Sequence, residues 1–243
     1  MHQETTTWFS PSLQKEMPVA VYGHYGFALL MIPTAGADYL EYERFGLIET
    51  LRPFIEAGKL KLFSINSINR ESWLNNEMQP AHKAIRHNQF NQYVFEEVVP
   101  FIRSRTSTET MVYTCGASLG AFHAMNLFLK RPDILNGALC MSGVYDLTEY
   151  TRGYWDEQVY FNSPIHYIPN LTDHWYLDKI KASHHIHLFS GSGAYEDPEA
   201  NRRFAKVLFD KGIWCNLEIW GEDVPHDWAT WKKMLPYMIE TKF

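Results

Sequence analysis

The feature that most constrains the fold is an alternation: short apolar runs, too short for helices of any length, are separated by longer segments whose apolar residues recur at helical spacing. Runs at 27–32, 60–65, 111–115, 137–141, 186–190 and 217–220 are rich in Val, Ile, Leu, Met or aromatics and mostly bounded by Gly, Pro or Asn, so they read as buried strands. An edge strand is expected around 19–22. Segments 48–57, 93–104, 119–130, 198–211 and 228–239 read as helices; in the last, Trp228, Trp231, Leu235 and Met238 share one face. Strands alternating with helices predict an α/β fold, a mostly parallel central sheet flanked by helices on both faces. No linker rich in Pro, Gly or Ser divides the 243 residues, so one domain spanning 1–243 is expected.

The alternation breaks once. Residues 145–175 carry Tyr150, Tyr154, Trp155, Tyr160, Phe161, Tyr167 and Trp175 with little periodicity. A long excursion between two sheet strands is uncommon without a function, and this one is expected to form a cap or pocket wall; the ordinary alternative is a packed surface loop.

Charge and cysteine content narrow the function. A net charge of −6 and a pI near 6.0, with no run of Lys or Arg, give no field that seeks phosphates, so nucleic-acid binding is not expected. The first ten residues are polar, and no stretch is long enough to span a bilayer, which predicts a cytoplasmic protein without membrane association. Three cysteines, Cys115, Cys140 and Cys215, are an odd number and read as free thiols rather than a disulfide framework. On strand 186–190 and the residue before it, His185 and His187 share a face, but no Cys or Glu at a recognisable spacing accompanies them, so no metal is expected.

Chemistry enters at Gly116-Ala117-Ser118-Leu119-Gly120, which follows a predicted strand and opens a predicted helix. A strand-to-helix turn this tight needs small flanking residues and leaves the serine hydroxyl exposed at the helix start, the placement a nucleophile requires. A general base should follow late in the chain, on a loop after the final strand, and His226 in Pro225-His226-Asp227-Trp228 stands there. The carboxylate that orients it is expected after the penultimate strand, where Glu196 and Asp197 are adjacent. Asp197 precedes Pro198 at a helix start and suits an N-cap, which leaves Glu196 as the favoured acid, Asp197 the alternative and Asp146 a distant third. Oxyanion-hole backbone donors are expected from Leu119 and from the turn Pro33-Thr34-Ala35-Gly36-Ala37-Asp38, with Gly36 preferred over Ala35.

With these motifs in place, the chain resembles the esterase family of α/β-hydrolases that includes esterase D, feruloyl esterases and the mycolyltransferase antigens. The resemblance rests on Glu96-Glu97-Val98-Val99-Pro100-Phe101-Ile102, Gly116 through Ala121, Arg131-Pro132-Asp133, Ser142-Gly143-Val144-Tyr145-Asp146, Glu196-Asp197-Pro198 and His226-Asp227-Trp228-Ala229-Thr230-Trp231. It extends over nearly the whole chain beyond the first two dozen residues. Two positions depart from the family pattern: Ala117 and Ala121 replace the His and Gly of its serine turn, and Thr34-Ala35-Gly36 stands where many members carry a His-Gly turn. Neither change removes a catalytic side chain. The resemblance implies a cofactor-independent serine esterase acting on a small-molecule ester. An acyltransferase delivering the acyl group to an alcohol or sugar, and a non-catalytic interaction module on the same fold, are the alternatives. The sequence leaves room for a homo-oligomer.

Overall fold

A computed structural model describes all residues, Met1–Phe243. At its centre lies an eight-stranded sheet made of β1 (Gln3–Ser10), β2 (Lys15–Tyr22), β3 (Phe27–Ile32), β4 (Leu60–Ile65), β5 (Val112–Ala117), β6 (Gly137–Met141), β7 (His185–Ser190) and β8 (Asn216–Ile219), in the order β1-β2-β4-β3-β5-β6-β7-β8. β1 and β2 are antiparallel to their neighbours, and the strands from β4 to β8 run parallel.

Alternate residues of each inner strand feed opposite cores, as the two-residue period of a strand dictates. Leu30, Phe63, Ala138 and Leu188 meet the helices Leu119–Lys130 and Pro198–Asp210 on one face. Their neighbours Leu29, Leu62, Leu139 and Phe189 meet the helices Leu47–Glu56 and Trp228–Lys242 on the other. Both faces are therefore covered, which is why these strands read as unbroken apolar runs. Cys115 and Cys140 are buried, Cys215 is partly so, and all three are free thiols. His185 and His187 lie on one side of β7 and pack around the Phe243 ring. No helix is long and apolar enough to cross a membrane.

Two expectations need correction. The strand around 19–22 is not an edge: β1, whose Gln-Glu-Thr-Thr-Thr-Trp-Phe-Ser alternates between exposed and half-buried positions, pairs outside it. β1 has no apolar run to announce it, because it is stabilised by pairing rather than by burial of both faces. The helix expected at 93–104 begins much earlier, as Pro80–Tyr93, and passes through a π-helical turn at Val94–Val98 into Val99–Arg105. Its first part buries Lys83, His87 and Asn91 among Ala84, Phe90 and Tyr93, so polar residues interrupt the inward stripe and break the hydrophobic period.

The 145–175 excursion folds into short helices, Glu157–Tyr160 and Pro164–Tyr167, and leads to His174–Lys181. Leu147 and Val159 pack beside Leu119 and Phe122, while Tyr167 and Ile168 join the larger core. Tyr160, Phe161 and Tyr167 also wall a cavity of about 350 Å³ at the far end of the helix that begins at Leu119.

Candidate active site

Parallel pairing aligns the strand ends that carry the predicted residues. Ala117 at the end of β5 lies opposite Met141 of β6, Met141 lies opposite Phe189 of β7, and Ser190 lies opposite Ile219 of β8. Ser118, Ser142, Glu196 and His226 all follow these carboxyl ends, where ligands bind in open α/β sheets.

Ser118 sits at φ 57° and ψ −125°, a conformation that costs a non-glycine residue on the order of 1–3 kcal/mol. Its N–H donates to Met141 O at 2.9 Å, tying the turn to the next strand. Although it holds the N-cap position of the helix Leu119–Lys130, its side chain makes no capping hydrogen bond. The flanking glycines are sterically required. A Cβ on Gly116 would lie 2.3 Å from Gly120 O, and one on Gly120 would lie 2.5 Å from Ile32 O and 2.6 Å from Pro33 O. The same closeness seats the start of the helix directly against the turn that follows β3.

Glu196 is held in the loop after β7 with its side chain fully buried. Ser142 Oγ donates to Oε1 at 2.5 Å, Ser190 Oγ donates to Oε2 at 3.1 Å, and His226 Nδ1 lies 3.5 Å from Oε2. Burial by itself would raise the Glu196 carboxyl, but the hydrogen bonds from His226 and Ser142 outweigh it and hold the group below the usual carboxylate range. His226 is 23% exposed, its N–H donates to Ala194 O at 2.9 Å, and its ring stands edge-on to Trp231 at 5.2 Å. The loops after β7 and β8 are laced together, with Gly193 N–H on Val224 O at 3.0 Å. The structure brings Glu196 and His226 together; no hydrogen bond links the Ser118 side chain to His226.

The other two carboxylates are engaged elsewhere. Asp197 Oδ1 accepts from Ala200 N–H at 2.8 Å, capping the helix Pro198–Asp210, and its side chain is 60% exposed. Asp146 closes a local turn, accepting from Thr148 N–H at 2.8 Å and Thr148 Oγ1 at 2.6 Å.

Sequence reasoning missed Ser142 and Trp231. Ser142 is buried at φ 50°, accepts a hydrogen bond from Trp231 Nε1–H at 2.9 Å and donates its own O–H to Glu196 Oε1 at 2.5 Å. Both residues lie in the stretches that carry the family resemblance, but only tertiary folding reveals that they meet.

The N–H groups at the start of the helix, Leu119 and Gly120, have no helical acceptor, while Ala121 N–H reaches back to Ser118 O at 3.1 Å. In the turn after β3, Thr34 N–H and Oγ1 both donate to Glu41, each at 2.8 Å. Neither Ala35 nor Gly36 N–H has an acceptor within the protein. The turn's carbonyls are held from the segment after β4: Ala35 O accepts from Ser67 Oγ at 2.6 Å and Asn69 Nδ2 at 2.9 Å, and Gly36 O accepts from Arg70 Nε at 2.9 Å.

A strained serine after a central parallel strand, with a buried carboxylate and a histidine paired two and three strands along, defines the class: this is an α/β-hydrolase fold. Solved structures agree. A ferulic acid esterase superposes with a TM-score of 0.77 at 14% identity, covering 98% of this chain and 96% of its own. An S-formylglutathione hydrolase from Agrobacterium tumefaciens gives 0.73 at 15% identity, covering 99% and 95%. FphF, a fluorophosphonate-binding serine hydrolase of Staphylococcus aureus, gives 0.70 at 17% identity, covering 98% and 97%. A sequence search among curated proteins finds no match. The family model described as "Putative esterase" matches residues 64–240, a span that includes Ser118, Glu196 and His226. The chain belongs to this esterase family.

Proposed function

We propose that the protein hydrolyses a carboxylic ester of a small molecule through an acyl-enzyme on Ser118, without a cofactor. The observation that carries this reading is the buried, ionised Glu196 beside His226, in line with a strained and uncapped Ser118. Ser118 Oγ attacks the acyl carbon as His226 Nε2 takes its proton, and Glu196 stabilises the imidazolium through Nδ1–H. The carbonyl oxygen becomes an oxyanion received by the N–H groups of Leu119 and Gly36. Collapse of the tetrahedral adduct breaks the ester bond, and the departing alkoxide takes the proton from His226. Water then attacks the acyl-enzyme with His226 again as base, releasing the acid and restoring Ser118. Leu147 and Val159 of the 145–175 excursion are buried in one apolar cluster with Leu119, the residue after the nucleophile, and so support the helix start from below.

The test is labelling by a fluorophosphonate probe together with turnover of p-nitrophenyl esters. Native protein should label and hydrolyse; Ser118→Ala should lose labelling and about 10⁶-fold in kcat, as loss of a serine nucleophile does elsewhere. Full ester hydrolysis by purified Ser118→Ala would refute the mechanism. Ester products that appear only when an alcohol acceptor is added would assign the same acyl-enzyme to acyl transfer.

A further inference from the structure

We infer that Asn69, backed by His123, is a positioning residue for the oxyanion hole: it locks the Ala35–Gly36 peptide so that the Gly36 N–H, rather than that of Ala35, faces the acyl oxygen. The inference rests on the esterase reading above and adds residues that reading does not use.

A trans peptide is planar, with its C=O and N–H pointing in opposite directions, so whatever holds a carbonyl also aims the following N–H. Ala35 O is held twice, by Ser67 Oγ at 2.6 Å and by Asn69 Nδ2 at 2.9 Å. The N–H of that peptide belongs to Gly36 and has no acceptor within the protein. The preceding peptide offers a contrast. Its N–H belongs to Ala35, and its carbonyl, Thr34 O, receives no hydrogen bond, so the Ala35 donor lacks the direct hold that the Gly36 donor has.

Asn69 is itself fixed. It is fully buried, and its backbone N–H donates to Ser67 Oγ at 3.0 Å. Ala35 O can only accept, so the amide must turn its NH2 group toward it and its Oδ1 toward His123 Nε2, 2.8 Å away. His123 Nε2 therefore carries the proton, and Nδ1 is bare, buried and without a partner. An unpartnered buried acceptor destabilises the fold, and an apolar residue here would avoid that penalty. Burial also depresses His123 to about 3, so the imidazole remains neutral and its Nε2–H is retained across the working range of an esterase.

The position of His123 supplies the reason for such an arrangement. It lies one turn beyond Leu119 on the helix Leu119–Lys130. Leu119 N–H, the first oxyanion donor, and Gly36 N–H, the second, are thus both referenced to one rigid helix, the second through His123, Asn69 and Ala35 O in sequence. Hydrogen bonds in such a chain polarise one another, which strengthens the final donor.

The experiment compares native protein with Asn69→Leu, which keeps the shape and removes the amide, and with His123→Gln and His123→Leu, of which only the first can still donate to Asn69. Readouts are kcat and KM on p-nitrophenyl acetate, melting temperature, and inhibition by phenylboronic acid, which forms a tetrahedral adduct on the serine. Direct loss of an oxyanion donor costs about 10²–10³-fold in kcat, so indirect loss through Asn69→Leu should cost about 10- to 100-fold, with KM within about twofold and boronate affinity falling in parallel. His123→Gln should retain most of kcat, and His123→Leu should fall with Asn69→Leu. Should Asn69→Leu not fold, Ser67→Ala, which removes the other donor to Ala35 O, must still lower kcat and boronate affinity together. Folded variants with kcat near native, or losses that fall on KM and spare the boronate, would overturn the assignment. Native protein that neither labels with fluorophosphonate nor hydrolyses esters would instead overturn the esterase reading, a result visible before any variant is made.

Discussion

Ser142→Ala should weaken the protein in a way that depends on pH. The hydroxyl donates to Glu196 Oε1 at 2.5 Å and accepts from Trp231 Nε1 at 2.9 Å, and Ser142 and Trp231 are both buried. Removing it withdraws a hydrogen bond to a charged group, typically about 1.5–3 kcal/mol, and leaves a buried indole N–H unpaired at about 1–3 kcal/mol. Ser190 Oγ and His226 still hold the other carboxylate oxygen, so a combined loss of about 2–4 kcal/mol is expected at pH 7. Glu196 is held below its ordinary value in the native state, so its contribution is fully present above the unfolded carboxylate range and is lost as pH falls through the native value. Without Ser142 the native value rises, and the difference between native and variant should stay constant near neutral pH and shrink as the pH falls through the carboxylate range, from the variant's raised value down through the depressed value of the native protein. Urea unfolding at a series of pH values measures this directly. A pH-independent difference would mean that only the Trp231 contact matters, and no difference at pH 7 would refute the network altogether. Ester hydrolysis should fall about tenfold with His226 less well oriented, corresponding to roughly 1.4 kcal/mol in the barrier.

Two further outcomes separate local roles from catalytic ones. Asp197→Ala removes a helix cap and should cost about 1 kcal/mol in chemical denaturation while leaving kcat within about twofold, whereas Glu196→Gln should lower kcat by about 10⁴-fold, as loss of the triad carboxylate does elsewhere. Equal kinetic effects would reassign the acid. Gly120→Ala places a methyl within 2.6 Å of two backbone carbonyls, which cannot move as a side-chain end could; it should destabilise by about 1–3 kcal/mol and reduce fluorophosphonate labelling by separating the helix start from the early turn. Native stability and labelling in Gly120→Ala would show that this close approach is relaxed in solution.

Legibility followed physical cause. Strands buried on both faces, such as β3, β4 and β6, appear in the sequence with their observed bounds, because burial forces a continuous apolar run. The strand β1 did not, being half exposed and held by pairing with β2. The helix Pro80–Tyr93 escaped for a different reason: it buries Lys83, His87 and Asn91 among Ala84, Phe90 and Tyr93, so polar side chains interrupt its inner face. Within the site, Ser118 was legible from the small residues a strained turn demands. Glu196 could be favoured over Asp197 because Asp before Pro at a helix start has a recognisable capping duty, and that duty is what Asp197 performs.

The sequence by itself determined the layered α/β architecture, the strand-to-helix serine turn and the order in which serine, carboxylate and histidine appear, because each is written in local patterns of burial, small residues and capping. Only the tertiary structure decided which distant groups touch. Ser142 meets Trp231 and Glu196, and Asn69 joins Ala35 to His123, because the sheet order and the packing of helix Leu119–Lys130 bring together residues up to 89 positions apart. Hydrogen bonds between single side chains at such separations leave no periodicity or spacing in the chain, so they become visible only once the fold has brought them into contact.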